Sequence, residues 1–301
     1  MNLPPRPPRI ATLAPGLRRV IAENPSPMTY WGTNSFVLGT GRVAVIDPGP
    51  AGGDQVDTIL GLLDPGEVVS HVFVTHAHLD HSPGARELAA RSGAPVLAFG
   101  DASAGRSPVM AALAEGGALE GGEGVDHAFE PDIRMAHGDR VGGGDWTLEA
   151  LWTPGHFGNH LSFACPEQDA LFCGDLVMGW STSLVSPPDG DLSAFMASLD
   201  LLARRREATF HAGHGAPIVD PRARIAELVA HRQMRSAQIR AALGEAPGTA
   251  AALAARIYTE TPRPLLPAAA RNVLAHLIDM ASRNEADHEG PLTSQTVFRA
   301  V

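Results

Sequence analysis

The sequence predicts an α+β chain in two parts: a layered domain of strands and helices over residues 1–220, and a small helical domain with a β wing over 221–301. Three observations predict it. Short apolar runs alternate with helically spaced segments through the first part. From residue 221 the apolar spacing becomes helical, with one strand-like arm at the end. The charge changes sign at the same place, since residues 1–220 hold 13 Arg against 26 acidic residues (net −13) and 221–301 hold 10 Arg against 7 (net +3). A chain of 301 residues has room for a sizeable core and an appendix.

Taken in order, "SFVL" (35–38), "RVAVID" (42–47) and "VSHVFVT" (69–75) read as strands, being β-branched runs bounded by Gly and Pro. Between them, residues 52–64 carry Val56, Ile59, Leu60 and Leu63 at helical spacing. A second helix opens at Ser82 and Pro83 and stops at Gly93. Strands resume with "VLAF" (96–99), "TLEALWT" (147–153), "HLSFA" (160–164) and "ALFCGD" (170–175). Residues 101–135 break the rhythm. They are Gly-rich, and Asp101, Glu115, Glu120, Glu123, Asp126, Glu130 and Asp132 face only Arg106 and Arg134, a net −5 that predicts a surface insertion. Three helices follow, over 221–243, 249–258 and 265–283, and "GPLTSQTVFRAV" (290–301) closes as a hairpin arm.

Composition narrows the class. With 44% hydrophobic and 19% charged residues, the chain is globular and not disordered. The first residues contain no apolar stretch of the length a secretory signal needs, and no window approaches the roughly 18 consecutive apolar residues of a membrane span. A cytoplasmic protein is the expectation. Cys165 and Cys173 flank a hairpin turn, "PEQDA", and in a reducing compartment are expected as buried thiols.

The chemistry concentrates in "VFVTHAHLDHSPGA" (72–85). His76, His78, Asp80 and His81 stand where a strand gives way to a helix, and imidazole with carboxylate is the ligand set zinc takes when no thiolate is offered. One short loop seldom completes a metal site, but more ligand-type residues follow other apolar runs: His156 in "WTPGHFGNH", Asp175 in "LFCGDL" and His214 in "FHAGHGA". Several strands would thus deliver ligands to a single rim.

This constellation resembles the metallo-β-lactamase superfamily of metal-dependent hydrolases, whose H-x-H-x-D-H loop is joined by a later His, a bridging Asp and a last His. The resemblance covers about residues 30–220 and implies a four-layer αββα sandwich with two metal ions, zinc first, iron or manganese as alternatives. His76, His78 and His156 would hold the first ion, Asp80, His81 and His214 the second, and Asp175 would bridge them. "GTNSFVLG" and "VIDPG" match the family's first hairpin, with Asp47 orienting the metal loop from behind. The implied reaction is hydrolysis by a water shared between the ions, with Asp80 accepting or relaying its proton. His160 would either donate a proton to the leaving group or brace the metal loop. The match to "GHG" favours His214 over His211 as the last ligand.

Beyond 220, "HRQMRSAQIRAAL", "ARIY" and "AARNVLAHL" resemble the C-terminal winged helix of a subgroup that includes a mitochondrial single-strand endoribonuclease. Two functions follow as expectations. The leading one is hydrolysis of a small or medium acyl substrate, a thioester, ester or lactone, because the acidic insertion would repel a polyanion. The alternative is a single-strand endoribonuclease whose RNA meets Arg232, Arg235, Arg240 and Arg271 on one helix face; otherwise the helices only shape the pocket or form a homodimer. A non-hydrolytic nucleic-acid-binding regulator and an iron-dependent oxygen-using enzyme rank below both.

Overall fold

In the computed structural model, which describes residues 5–117, 119 and 124–301, two mixed sheets face each other and helices cover their outer faces. The first sheet runs in chain order through β1 (Ile10–Ala14), β2 (Leu17–Ile21), β3 (Asn34–Leu38), β4 (Arg42–Ile46), β5 (Val68–Phe73), β6 (Val96–Ala98) and β7 (Ile133–Arg134). The second is ordered β12 (Thr209–Ala212), β11 (Ala170–Gly174), β10 (Leu161–Cys165), β9 (Thr147–Trp152) and β8 (Arg140–Gly142). β4, β5, β6 and β7 pair in parallel, as do β11 and β12, while the remaining pairs are antiparallel.

The near-continuous apolar runs are explained by burial on both faces of each sheet, where successive side chains point to opposite cores. In β4, Ala44 and Ile46 enter the core between the sheets, and Val43 and Val45 face the helices α1 (Gln55–Gly61) and α2 (Pro83–Ser92). In β11, Phe172 enters the inter-sheet core, and Leu171 and Cys173 face α4 (Leu192–Ala203). The layers are therefore αββα. Cys165 and Cys173 are both buried and free, and burial raises the Cys165 thiol to about 11.

The described residues of the 101–135 segment are largely exposed or half-buried, yet the segment is anchored in the core. Ala102, Val125 and Phe129 pack into the core beside the first sheet, its α3 (Pro108–Glu115) sends Met110 into the C-terminal core, and its end supplies β7. Asp101 accepts from Ser103 within the segment, and Asp126 and Asp132 accept from Ser82 and the Val96 amide outside it, so part of its acidity ties it to itself and to the domain. Glu120 and Glu123 lie outside the described residues.

At the C-terminus, α5 (Pro221–Glu245), α6 (Ala250–Ile257) and α7 (Leu266–Ser282) carry a three-stranded sheet ordered β13 (Gly248–Thr249), β15 (Val297–Ala300), β14 (Ala286–His288). This is a winged helix. α5 belongs to two cores at once: Ile225 and Leu228 pack under the second sheet, and Ile239, Ala242 and Leu243 pack against α6 and α7. Among the described residues no helix is long and apolar enough to cross a membrane.

Candidate metal centre

Five strand ends converge on one rim of the sandwich. Asp47 follows β4, the 75–82 loop follows β5, the 153–160 loop joins β9 to β10, Asp175 follows β11 and His214 follows β12. The structure brings together all seven residues that the sequence nominates as ligands. His76 Nε2 lies 2.8 Å and His156 Nε2 3.1 Å from His78 Nδ1. Across from this triad, Asp80 Oδ2 lies 3.4 Å from His81 Nε2 and 3.2 Å from His214 Nε2. Asp175 stands between the two groups, with one oxygen 3.3 Å from His214 Nε2 and 3.8 Å from His156 Nε2, and the other 3.6 Å from His81 Nε2. All are buried except His78 and Asp80, which are half-buried.

A single ring nitrogen, His78 Nδ1, faces both His76 Nε2 and His156 Nε2. His81 Nε2 and Asp175 Oδ1 are buried with no hydrogen-bond partner at all, a costly arrangement for a protein alone. A cation between the groups would satisfy both, and the sets His76/His78/His156, His76/His81/Asp175 and Asp80/His81/His214 each present three ligand atoms within 4.8 Å of one another. The residues present therefore fit divalent metal. Close approach is enforced by glycine: a Cβ on Gly213 would stand 2.4 Å from Asp175 Oδ1 and 2.6 Å from His81 Cε1.

The two halves differ electrostatically. Burial, reinforced by repulsion from His156, pushes His78 down to about 3; burial likewise lowers His76 and His156. These imidazoles are neutral and ready to coordinate. Burial opposes the charged form of His214 too, but Asp175 and Asp80 outweigh it and raise the ring to about 9. His81 is raised for the same reason, and Asp80 is held well below the usual carboxylate range by His81 and His214 against its own burial. Protons thus occupy, between carboxylate and imidazole, the place a cation would take.

Behind the ligands, Asp47 accepts from the Thr75 amide (2.7 Å) and hydroxyl (2.7 Å) and meets His81 Nδ1 at 2.9 Å. Its backbone sits at φ +50, a left-handed conformation that costs a non-glycine residue on the order of 1 kcal/mol and here aims the carboxylate into the loop. His160 is fully buried, with Nδ1 3.0 Å from Thr153 Oγ1 and Nε2 accepting from the Asp175 amide at 3.2 Å. Both its nitrogens are engaged behind Asp175, in a bracing position and not in the open site. A Cβ on Gly174, at φ +46, would fall 2.5 Å from that Nε2. His211 packs on Phe36 and Phe172, outside the three sets.

Sequence reasoning passed over several supporting residues. Thr33 donates to Asp80 Oδ2 (3.2 Å), and Asn34 donates to the carbonyls of Ala212 and Gly215, both at 2.9 Å. The signal was present in "GTNSFVLG", where two polar residues open an apolar strand. Ser183, Leu184, Arg232 and Asn272 gave no local signal.

The C-terminal arginines Arg232, Arg235 and Arg240, which the alternative reading places toward RNA, are engaged by this chain. Arg232 is 3% exposed and donates to Asn272 and the Ser183 carbonyl, Arg235 stacks 4.1 Å over the Tyr258 ring, and Arg240 pairs with Glu285. Two clefts flank the Arg106–Asp189 ion pair (2.7 Å); the larger, about 490 Å³, is lined by Asp101, Ser103, His127 and Pro188 among others, and neither includes a candidate ligand. The electrostatics above, rather than cavity size, locate the chemistry.

Residues 28–214 match the family model described as the metallo-beta-lactamase superfamily, and residues 249–292 match the beta-lactamase-associated winged helix domain. An atrochrysone carboxyl ACP thioesterase of Claviceps purpurea is 32% identical over 254 residues, covering 81% of this chain and 70% of its own. A lactamase-like protein of Aspergillus niger is 29% identical over 241 residues, covering 79% of this chain and 67% of its own. The crystal structure of a metallo-beta-lactamase family protein from Thermus thermophilus superposes with a TM-score of 0.77 at 26% identity, covering 96% of this chain and all of that one.

Proposed function

The chain belongs to the metallo-beta-lactamase superfamily and is a metal-dependent hydrolase, and from that premise we propose that it cleaves acyl thioesters at a two-metal centre of the zinc type. The observation that carries the reading is Asp175, placed between two histidine groups with an orphaned oxygen toward His81. His76, His78 and His156 would hold one ion, Asp80, His81 and His214 the other, and Asp175 both. Bound there, divalent ions supply a water whose pKa lies near 7 and a Lewis acid for the scissile carbonyl.

The chain's own residues complete the reaction. Asp80 is the half-buried carboxylate of the set, ionised at neutral pH and steadied by Thr33, so its Oδ faces the approach and can accept the proton of the attacking water. His160, braced behind Asp175, holds the Asp175 backbone and leaves no nitrogen for a leaving group. A thioester suits a site without such a donor, because a thiol of pKa about 8.5 departs as thiolate unaided, whereas an amine does not. The thioesterase name of the Claviceps purpurea relative supports the same substrate class.

Zinc-loaded protein should be assayed in parallel on acyl-pantetheine and acyl-carrier thioesters, the matching oxygen esters and single-stranded RNA. Thioester turnover with kcat/KM of about 10⁴ per molar per second or more is expected, since that is where ordinary enzymes begin. RNA cleavage without thioester turnover would reverse the assignment.

A further inference from the structure

The 183–185 turn, Ser183–Leu184–Val185, touches the metal centre on one side and the C-terminal helices on the other. On the first side His156 Nδ1 donates to the Leu184 carbonyl at 2.6 Å, which leaves Nε2 as the lone pair facing His78. The Ser183 hydroxyl donates to the carbonyl of Asp175 and lies 3.2 Å from that of Leu176. Two nominated ligands thus take their orientation from this turn.

On the other side the turn is held by two side chains far away in sequence. Arg232 of α5 donates through Nη2 to the Ser183 carbonyl and through Nη1 to Asn272 Oδ1 at 2.9 Å. The same Asn272 oxygen, on α7, accepts the Val185 amide at 3.1 Å, while its Nδ2 reaches the Ala268 carbonyl at 3.3 Å. The guanidinium lies 4.9 Å over the Phe195 ring, away from solvent. A buried arginine is expensive unless its donors are met; here both Nη atoms find acceptors, one amide and one backbone, while Nε has none, so the geometry of the guanidinium is fixed through the two Nη bonds.

We infer that Arg232 and Asn272 are positioning residues of the metal centre: through the 183–185 turn they set the ring of His156 and the backbone of Asp175, so the winged helix finishes a site whose ligands all lie in the other domain. The inference rests on the proposed metal centre but does not follow from it, since a complete ligand set could stand without this support. Partners behind a metal ligand are worth about 10- to 100-fold in affinity when removed.

The test is zinc affinity of the apo-protein, read by competition with a chromophoric chelator, together with the visible spectrum of the cobalt-substituted protein. Asn272→Ala should weaken one of the zinc equivalents by about tenfold or more and alter the cobalt spectrum. Asn272→Asp keeps an oxygen for Arg232 and Val185 and should restore affinity to within about threefold of wild type, which a merely structural defect would not do. Arg240→Gln, on the same helix but paired outward with Glu285, serves as the control and should bind zinc as wild type does. Should Asn272→Ala not fold, Arg232→Lys decides, because one ammonium cannot span both acceptors in the guanidinium's fork geometry. Wild-type affinity in folded Asn272→Ala, or in Arg232→Lys where that variant decides, overturns the inference. Failure of wild type itself to bind zinc would instead sink the proposed function.

Discussion

The metal centre and the C-terminal helices both bury more polar groups than a core should hold, and they accommodate them in opposite ways. In the centre, imidazoles face imidazoles at about hydrogen-bond distance and two atoms, His81 Nε2 and Asp175 Oδ1, face each other at 3.6 Å without a hydrogen bond. In the helices, Arg232, Arg235 and Arg240 each meet an acceptor, a ring or a carboxylate of their own chain. In the first region the unpaired groups surround one point, where a single cation would meet them; in the second the unpaired atoms, such as Arg232 Nε, Arg235 Nε and His276 Nε2, are scattered, and the charges are turned on their own chain. A count of charges therefore misleads where a count of partners does not. The +3 of residues 221–301 supports only the alternative, nucleic-acid reading in sequence, and one of its four candidate arginines, Arg232, is spent on the protein's interior.

The largest effect should come from the shared ligand. Asp175→Ala removes the one side chain that reaches both histidine groups, so purified protein should lose bound metal and at least a thousandfold in kcat/KM, about 4 kcal/mol of transition-state stabilisation. Elemental analysis beside steady-state kinetics checks it. Activity within tenfold of wild type would mean that the centre needs no cation held by Asp175.

A smaller effect sharpens the other side of the comparison. His276 on α7 is fully buried, 2.9 Å from Ser236 Oγ, and burial followed by repulsion from Arg232 pushes it down to about 3. Its folded pKa lies below the unfolded value, so the folded state binds fewer protons and stability present above about 6.5 is lost as pH falls toward 3, by up to roughly 1.4 kcal/mol per unit. Urea melts of apo-protein at pH 7.5, 6 and 4.5 should show that slope reduced in His276→Asn. An unchanged slope would mean that His276 is protonated in the folded helices and that they carry an unmet charge after all.

These contrasts also explain what the sequence could disclose. The 75–82 loop was legible because four ligand-type side chains lie within six residues, and the remaining three candidates follow apolar runs at strand ends. The strands were legible where both faces are buried, as in "RVAVID" and "ALFCGD". By contrast, α4 went unread although Leu192, Phe195, Leu199 and Leu202 repeat at helical spacing behind Asp191, whose side chain caps the Ala194 amide. For the acidic 101–135 segment, composition does not reveal that Phe129 and Met110 anchor it in two cores. His160 and Arg232 were the hardest. Each is defined by a backbone group distant in sequence, the Asp175 amide and the Ser183 carbonyl, and no local pattern encodes such a partner.

The smallest effect is the most discriminating for function. If the helices' charges are used internally, Arg235→Gln with Arg240→Gln disturbs a ring contact, a hydrogen bond to Gln238 and an exposed pair with Glu285, none of which touches the centre. Thioester hydrolysis should stay within about twofold of wild type, since exposed ion pairs contribute little. Binding of a single-stranded RNA should be micromolar or weaker in both proteins and nearly flat in salt, because each phosphate neutralised on a single strand would add a slope of about −0.7 in log affinity against log salt. A slope steeper than about −1.4, corresponding to more than two phosphates, that collapsed in the double variant would show that these arginines exchange their intramolecular partners for a polyanion. The two regions would then no longer differ in kind: both would be sites waiting for a ligand, and the winged helix would deliver RNA to the metal centre as well as support it.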